Sequence, residues 1–257
     1  MVNVAMEAAL EAGKFLKYNV GKIKSIERKM GQATNLVTEI DKQSEAIIIK
    51  KIKQHFPLHD ILAEESGSHN QKSEFRWVID PLDGTTNFTH AFPIFAVSIG
   101  VEHNGEVVAG AVYDPSSDEM FSTEKGAGAF LNGKRIHVSS SATLIESLLV
   151  TGFPYNVKEN PHHAVEHFVN FLMEGQGVRR LGAAAIDLAY VAAGRLDGFW
   201  EVFLNPWDKA AGTLLVQEAG GTVTNFRGKP ASIDEPNTLA TNGKIHDRML
   251  EILHRSL

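Results

Sequence analysis

Apolar residues recur at helical spacing in two segments near the start of the chain. The first pattern predicts a helix over 4–18, and the second predicts a helix over 41–55 that ends before Pro57. After Pro57 the pattern changes to short apolar runs and alternation, which is typical of β-strands. The strands predicted there are 60–64, 76–80, 95–101, 106–113, 121–124 and 129–131.

Glycine-containing turns join several of these strands. His103-Asn-Gly105 and Asn132-Gly133 predict hairpins, because asparagine and glycine tolerate the positive φ of tight turns. We also interpret Gly126-Ala-Gly128 as a hairpin turn. A dinucleotide-binding loop would need a glycine at 131, where the chain has leucine, and a helix after it.

The second half of the chain mixes strands and helices again. The predicted strands are 147–152, 198–202 and 222–225, and the predicted helices are 162–173, 184–193, 207–219 and 245–254. This mixture predicts an α/β (α+β) protein. We expect two lobes in continuous contact, an N-terminal lobe over 1–143 and a C-terminal lobe over 144–257.

Composition and charge exclude several classes of function. The 257 residues are 43% hydrophobic and 22% charged, as in ordinary globular proteins. The formal net charge of −6 argues against a nucleic-acid-binding surface, and it suits an anionic substrate only if bound cations reverse the local field. The absence of cysteine excludes disulfides, thiolate metal sites and a cysteine nucleophile. With no signal segment or apolar run of about 20 residues, we expect a cytoplasmic protein that does not span a membrane.

The densest candidate chemistry is the segment Trp77 to Phe88, with the sequence WVIDPLDGTTNF. The predicted strand carries Asp80 to its end, where Pro81 forbids simple continuation of strand pairing. Asp80 and Asp83 can share or bracket hard cations. Backbone N–H groups at a helix start near Thr85 suit a phosphate. Taken alone, both aspartates are explained more simply as caps of a turn and a helix.

Two further acidic segments follow predicted strands. If strands 60–64 and 76–80 are neighbours, Glu64 and Asp80 project from the same end of the sheet. Asp208 lies in the first turn of the helix that begins after Asn205-Pro206. In isolation these segments are typical of a solvated loop and of a helix cap.

Together, and in this order, the three acidic segments resemble the inositol monophosphatase family. The matching motifs are Glu-Glu-Ser-Gly at 64–67, Trp-Val-Ile-Asp-Pro-Leu-Asp-Gly-Thr-Thr-Asn-Phe at 77–88 and Pro-Trp-Asp-x-Ala-Ala-Gly at 206–212. Asn-Leu-Val-Thr-Glu-Ile-Asp at 35–41 and Glu-Ala-Gly-Gly at 218–221 extend the resemblance over nearly the whole chain. It implies a layered αβαβα sandwich of the sugar-phosphatase type, often a homodimer, and sensitivity to lithium.

The resemblance also implies a role for each matching residue. Two or three Mg²⁺ ions, replaceable in binding by Mn²⁺ or Ca²⁺, would be held by Glu64, Asp80, the Leu82 carbonyl, Asp83 and Asp208. The phosphate would contact Asp83, Gly84 and Thr85. The attacking water would be oriented by Asp41 and Thr85, with Glu64 supporting a weaker third ion. The alcohol part of the substrate would contact Ala184, Glu201 and Asp208.

The predicted activity is therefore magnesium-dependent hydrolysis of a small phosphate monoester, first of all an inositol 1-phosphate. Ala183 replaces a hydroxyl residue of some relatives, and Arg179-Arg180 either forms a surface patch or reaches a second anionic group. NADP(H) 2′-phosphate, fructose 1,6-bisphosphate and 3′-phosphoadenosine nucleotides are thus alternative substrates. A binding partner of the transcription machinery is an alternative of a different class.

Two further segments carry weaker expectations. The loop around 22–33 is expected to lie beside Asp41 and could cover the site. His162, His163 and His167 offer zinc-ligand spacing, but no third ligand motif accompanies them, so we interpret them as a solvated helix face.

Overall fold

The structure, a computed structural model, describes residues 1–22, 26–28 and 36–256. Its α-helices are α1 (Val2–Asn19), α2 (Glu39–His55), α3 (Thr85–Thr89), α4 (Ala164–Glu174), α5 (Ala184–Ala192), α6 (Pro206–Glu218) and α7 (His246–Leu253). The first ten strands are β1 (Ile26–Arg28), β2 (Leu36–Thr38), β3 (Asp60–Ala63), β4 (Gly67–His69), β5 (Phe75–Asp83), β6 (Ala96–His103), β7 (Glu106–Asp114), β8 (Glu119–Glu124), β9 (Gly128–Leu131) and β10 (Lys134–Ile136). The last five are β11 (Leu148–Thr151), β12 (Gly177–Arg179), β13 (Gly198–Glu201), β14 (Thr222–Thr224) and β15 (Thr238–Thr241).

These strands form two main sheets. Eight strands follow the order β10-β9-β8-β7-β6-β5-β3-β4, and five follow the order β12-β11-β13-β15-β14. In the large sheet β3 runs parallel to β5, whereas the other neighbours are antiparallel. Because β3 and β5 are parallel neighbours, their carboxyl ends meet at one edge, as the sequence predicts for Glu64 and Asp80.

Alternating side chains place each sheet between two layers of helices. On β7, Ala111 packs into the core with α1 and α2, whereas Val112 packs into the core with α5 and α6. On β11, Val150 shares that same middle core, whereas Leu149 packs with α4 and α7 on the outer side. The result is a layered αβαβα sandwich, which confirms the predicted fold.

The two halves of the chain are joined by very close packing of α6 on the large sheet. Gly100 and Gly110 lie opposite each other on β6 and β7. A Cβ atom added to Gly100 would be 2.7 Å from the Cβ of Ala210, and one added to Gly110 would be 2.9 Å from the Cα of Ala211. The division expected after residue 143 separates the strands of the large sheet from those of the small sheet. Helices α5 and α6, however, pack against both sheets.

Strand β5 corrects one sequence expectation, because it does not end at Asp80. The ladder with β6 pairs Asp80 with Ser98 and then, after a register shift, pairs Asp83 with Ala96. This irregularity absorbs Pro81, which has no N–H to give to the ladder. The strand therefore extends to Asp83 and carries both aspartates in one element.

Helix α4 corrects the sequence expectation of a helix over 162–173 with solvated histidines. The regular helix begins at Ala164, because His162 and His163 adopt left-handed conformations with φ of 48° and 56°. His167 is fully buried against Phe226, so the expectation of a solvated face is wrong for this residue. Burial lowers the pKa of His167 to about 4.

Six short strands were not expected from the sequence, namely β1, β2, β4, β10, β12 and β15. β15 lies inside the small sheet between β13 and β14.

The loop expected over 22–33 falls mostly outside the described residues, and the expectation that this loop covers the site stays a prediction. No helix in the described part of the chain has both the length and the apolar composition needed to cross a bilayer.

Replacing Gly110 with alanine tests the close packing of α6. The added methyl group would meet the backbone of Ala211, so we expect the Gly110→Ala variant to lose about 1–3 kcal/mol of unfolding free energy. Urea denaturation measures the loss. Gly177→Ala is the matched control, since its methyl group would meet only the flexible end of Arg179, and its stability should change by less than about 0.5 kcal/mol. Equal stability of the two variants would contradict the packing argument.

Candidate active site

A cavity of about 630 Å³ is lined by residues from both halves of the chain. The lining comes from the loop after β3, the end of β5, the start of α3, the loop after β11, the start of α5, the end of β13 and the start of α6. Nine of the residues expected at the site take part, namely Glu64, Asp80, Leu82, Asp83, Gly84, Thr85, Ala184, Glu201 and Asp208. Asp41 is buried at the start of α2 and is not part of the lining.

The turn after β5 is held by its own polar groups. The Leu82 N–H donates to Asp80 Oδ1 at 3.0 Å, and the Thr85 hydroxyl donates to the Leu82 carbonyl at 3.0 Å. Gly84 has φ of 86°, and a Cβ there would be 2.9 Å from the Ile94 carbonyl oxygen, so the turn requires glycine. These contacts fix Asp80 and Thr85 relative to each other at the cavity wall.

Asp83 joins the two halves of the site. Its Oδ1 accepts the Ala184 N–H at 3.2 Å, and its Oδ2 accepts the Ala185 N–H at 2.8 Å. Helix α5 has no side-chain cap from its own N-cap residue, Ala183. Asp83 therefore caps the helix from about a hundred residues away along the chain, as a carboxylate at a helix N-terminus favourably does.

Asp208 also serves as a local cap. It forms a capping box with Asn205, whose backbone N–H donates to Asp208 Oδ2 at 2.6 Å. The simple interpretation of Asp208 as a helix cap is therefore correct, and the same side chain lines the cavity. The capping bond fixes the direction in which the carboxylate points.

Glu45 supports the acidic loop and was missed by the sequence reasoning. This buried residue of α2 accepts the Glu65 N–H at 2.8 Å and the Ser66 N–H at 3.0 Å. It thereby positions the loop that carries Glu64. A signal was present in the sequence, because Glu45 shares the inward helical spacing of Ile48 and Ile52.

The cavity concentrates negative charge. Burial, and next the carboxylate of Glu64, raises the pKa of Asp80 well above its usual value. Burial likewise raises the pKa of Asp83 to about 7, against the opposing effect of the α5 N–H groups. The pKa of Asp208 is raised to about 8 by burial and then by Glu64. A bound cation would relieve this repulsion.

The donor set fits a hard divalent cation. Every expected ligand atom is a carboxylate or carbonyl oxygen, as Mg²⁺ prefers. In the described ranges, however, no group of three Asp, Glu or His side chains is positioned to enclose a metal ion. Asp80, Asp83 and Asp208 each direct an oxygen to a backbone N–H. The residues fit the cation by their chemistry, and their side-chain positions do not yet form a closed coordination shell.

The cavity lining also contains polar groups suited to an alcohol or a second anion. Glu201 is buried beside Gly152, where an added Cβ would be 2.2 Å from Glu201 Oε1. Burial, and next Asp208, raises the pKa of Glu201 to about 8. Arg180 lines the cavity, whereas Arg179 does not. Asp187 also lines it, and the sequence reasoning missed it although it is the one charge in the apolar run 183–189.

Comparisons with known proteins agree over the whole chain. The profile of the inositol monophosphatase family matches residues 1–257. The chain belongs to the inositol monophosphatase family. It is 47% identical over 253 residues to "Inositol-1-monophosphatase" of Synechocystis sp. PCC 6803, covering 98% of this chain and 88% of that one. It is 43% identical over 251 residues to "Nus factor SuhB" of Escherichia coli K12, covering 97% and 94%.

Solved structures share the fold of this inositol monophosphatase family member. The extragenic suppressor protein suhB of Bartonella henselae superposes with a TM-score of 0.93 at 39% identity, covering 99% of this chain and 98% of that one. The chain is accordingly a phosphoric monoester hydrolase. Enzymes of this family are generally metal-dependent.

The raised pKa values predict how the metal-free protein responds to pH. Asp83, Asp208 and Glu201 keep protons in the folded state that they lose in the unfolded state above about pH 4. The folded state therefore binds more protons up to about pH 8, and its stability falls as pH rises through that range. In chelator, we expect the melting temperature to fall between pH 6.5 and 8.

Adding Mg²⁺ should remove most of that fall, because a cation replaces the bound protons. Thermal melting with and without Mg²⁺ measures both effects. The window begins at the ordinary pKa of histidine, so His59, His167 and His246, whose pKa values burial lowers, add only a small opposing rise that fades above about pH 7. Asp208→Asn should flatten the slope, and a melting temperature that rises with pH in chelator would contradict the assignment.

Glu45→Ala tests the support of the acidic loop. With both acceptor oxygens gone, the Glu65 and Ser66 amide protons should exchange about 10- to 100-fold faster, since a hydrogen bond to a carboxylate is worth about 1.5–3 kcal/mol. Hydrogen exchange read by mass spectrometry over residues 60–70 measures the change. Lys50→Ala, at an exposed position of the same helix, is the control and should leave the exchange unchanged.

Proposed function

We propose that this chain is a magnesium-dependent hydrolase of small phosphate monoesters, with an inositol 1-phosphate as its leading substrate. The observation that carries the proposal is the convergence of four carboxylates, Glu64, Asp80, Asp83 and Asp208, on one cavity. They come from three separate segments of the chain, and their mutual repulsion favours a cation among them. The identity of 47% to an inositol-1-monophosphatase supports the choice of alcohol.

The proposed metal ligands are these four side chains and the Leu82 carbonyl oxygen. When bound, Mg²⁺ ions lower the pKa of coordinated water and neutralise charge on the phosphoryl oxygens. The backbone at Gly84 and Thr85, at the start of α3, would bind the phosphate. Phosphoryl transfer depends mainly on such positioning and electrostatics, so the lack of a cysteine nucleophile does not oppose it.

Thr85 is proposed to orient the attacking water. Its hydroxyl proton goes to the Leu82 carbonyl, so the Thr85 oxygen is left to accept a hydrogen bond from that water. A role for Asp41 beside Thr85 stays a prediction, since Asp41 is buried away from the cavity lining. Support of a third ion by Glu64 stays a prediction as well.

The alcohol part of the substrate is proposed to contact Glu201, Asp208 and the Ala184 end of α5. All three line the cavity. Arg180 in the same lining favours an alternative group of substrates that carry a second anionic group, such as fructose 1,6-bisphosphate, NADP(H) 2′-phosphate and 3′-phosphoadenosine nucleotides. A substrate panel with phosphate detection separates these from inositol 1-phosphate.

Asp80→Asn tests the proposed chemistry. Asparagine keeps the Oδ1 acceptor for the Leu82 N–H but removes the charge, so the fold should persist while phosphate release in Mg²⁺ falls about 100-fold or more. Asp114→Asn is the matched control. Asp114 is also buried and also accepts a backbone N–H, from Ser116 at 2.8 Å, but lies outside the cavity lining. Unchanged turnover in Asp80→Asn would reject the proposal.

A second candidate function is binding to the transcription machinery. The specific observation in its favour is the 43% identity to proteins named Nus factor SuhB. This function need not depend on catalysis, so an Asp80→Asn protein that keeps a transcription partner in a pull-down would support it.

Several finer properties rest on the family alone. A homodimer, a cytoplasmic location, sensitivity to lithium and replacement of Mg²⁺ by Mn²⁺ or Ca²⁺ stay predictions. Helix α4 offers an apolar surface for self-association, because Val165, Val169, Leu172 and Met173 are exposed at helical spacing.

A further inference from the structure

We propose that Asp187 is a specificity-determining residue that, together with Glu201, selects substrates whose alcohol carries hydroxyl groups. This inference rests on the proposed phosphatase function. It assigns a role to a side chain that none of the motifs at 64–67, 77–88 and 206–212 contains.

Asp187 occupies an unusual position for a charged residue. It is the fourth residue of α5 and is only 1% exposed, yet it lines the cavity. Its neighbours Ile186 and Leu188 are fully buried in the middle core. Because α5 begins at the Asp83 cap, the same turn of helix that binds Asp83 presents Asp187 to the cavity.

Neither oxygen of Asp187 has a hydrogen-bond partner among the described residues. It does not cap α5, since the N–H groups of Ala184 and Ala185 donate to Asp83. A buried polar group without a partner is unfavourable, and natural proteins keep such groups mainly where a ligand completes the bonding. A lining position and two unpartnered oxygens thus favour a ligand-binding role for Asp187 over a structural one.

Glu201 is a second buried acid in the same cavity lining. After burial, the charge of Glu201 is the main influence that raises the pKa of Asp187. Glu201 is itself fixed beside Gly152, where no side chain would fit. Two acids on one wall provide up to four oxygens that bind hydroxyl groups, whether each acid is ionised and accepts or is protonated and also donates.

A polyhydroxylated alcohol meets hydrogen-bond partners along this wall, whereas an alcohol without hydroxyl groups leaves both acids without them. The wall therefore suits a cyclic or linear polyol phosphate better than a phosphate ester whose leaving group has no hydroxyl group.

Steady-state kinetics of Asp187→Leu and Asp187→Asn in saturating Mg²⁺ test the inference. The substrates are inositol 1-phosphate and 4-nitrophenyl phosphate, whose leaving group has no hydroxyl to offer the wall. Asp187→Leu should lower kcat/KM for inositol 1-phosphate about 10- to 100-fold, mainly through KM, and change it less than about twofold for 4-nitrophenyl phosphate. Asp187→Asn should keep most of the activity, because an amide also accepts and donates.

Thermal melting separates recognition from structure. Loss of an unpartnered buried acid should leave the melting temperature of Asp187→Leu unchanged or higher, whereas a structural residue would lower it. Equal losses on both substrates, no loss on either, or a lower melting temperature with equal losses would overturn the inference. A wild-type protein that hydrolyses neither substrate would instead reject the proposed function, and the role of Asp187 with it.

Discussion

The arrangement of the site depends on the repulsion among carboxylates that the fold gathers into one cavity. Glu64, Asp80, Asp83 and Asp208 come from segments that are far apart along the chain, and burial strengthens the repulsion among them. The fold holds Asp80, Asp83 and Asp208 with backbone N–H groups from the end of β5, from the start of α5 and from the N-cap of α6, respectively. Those N–H groups stabilise the charges only in part, which leaves the cavity with a preference for cations.

The same elements make the two halves of the chain into one unit. The α5 and α6 helices belong to the C-terminal half, yet α6 lies against Gly100 and Gly110 of the large sheet. Asp83 of that sheet binds the first N–H groups of α5. The cavity is therefore built at a junction that packing and hydrogen bonding both define, which is where α/β proteins commonly bind their ligands.

Much of this could be predicted from the sequence. Helical periodicity located α2, α5 and α6, and the ordered acidic motifs located the cavity residues before any contact was known. Short strands such as β15 were missed because four residues carry little periodic signal. The register shift around Pro81 and the left-handed histidines before α4 were also missed. Both backbone conformations depend on the chain packed around them, and the local pattern of apolar and polar residues does not encode them. Glu45 was missed since its partners, the amides of Glu65 and Ser66, are distant along the chain, and Asp187 since only the fold brings it to the cavity.

Because Asp83 caps α5, binding of a cation by Asp83 would affect the position of the first turn of α5. A carboxylate that turns toward a cation gives up some of its hold on the α5 amides, and those amides lie in the same turn as Ala184 and Asp187. With Asp83 as a cation ligand, as proposed, ion occupancy and the placement of the first turn of α5 would be thermodynamically linked, and the linkage would operate equally in both directions. An alcohol bound at the start of α5 would then alter the affinity of a cation at the end of β5.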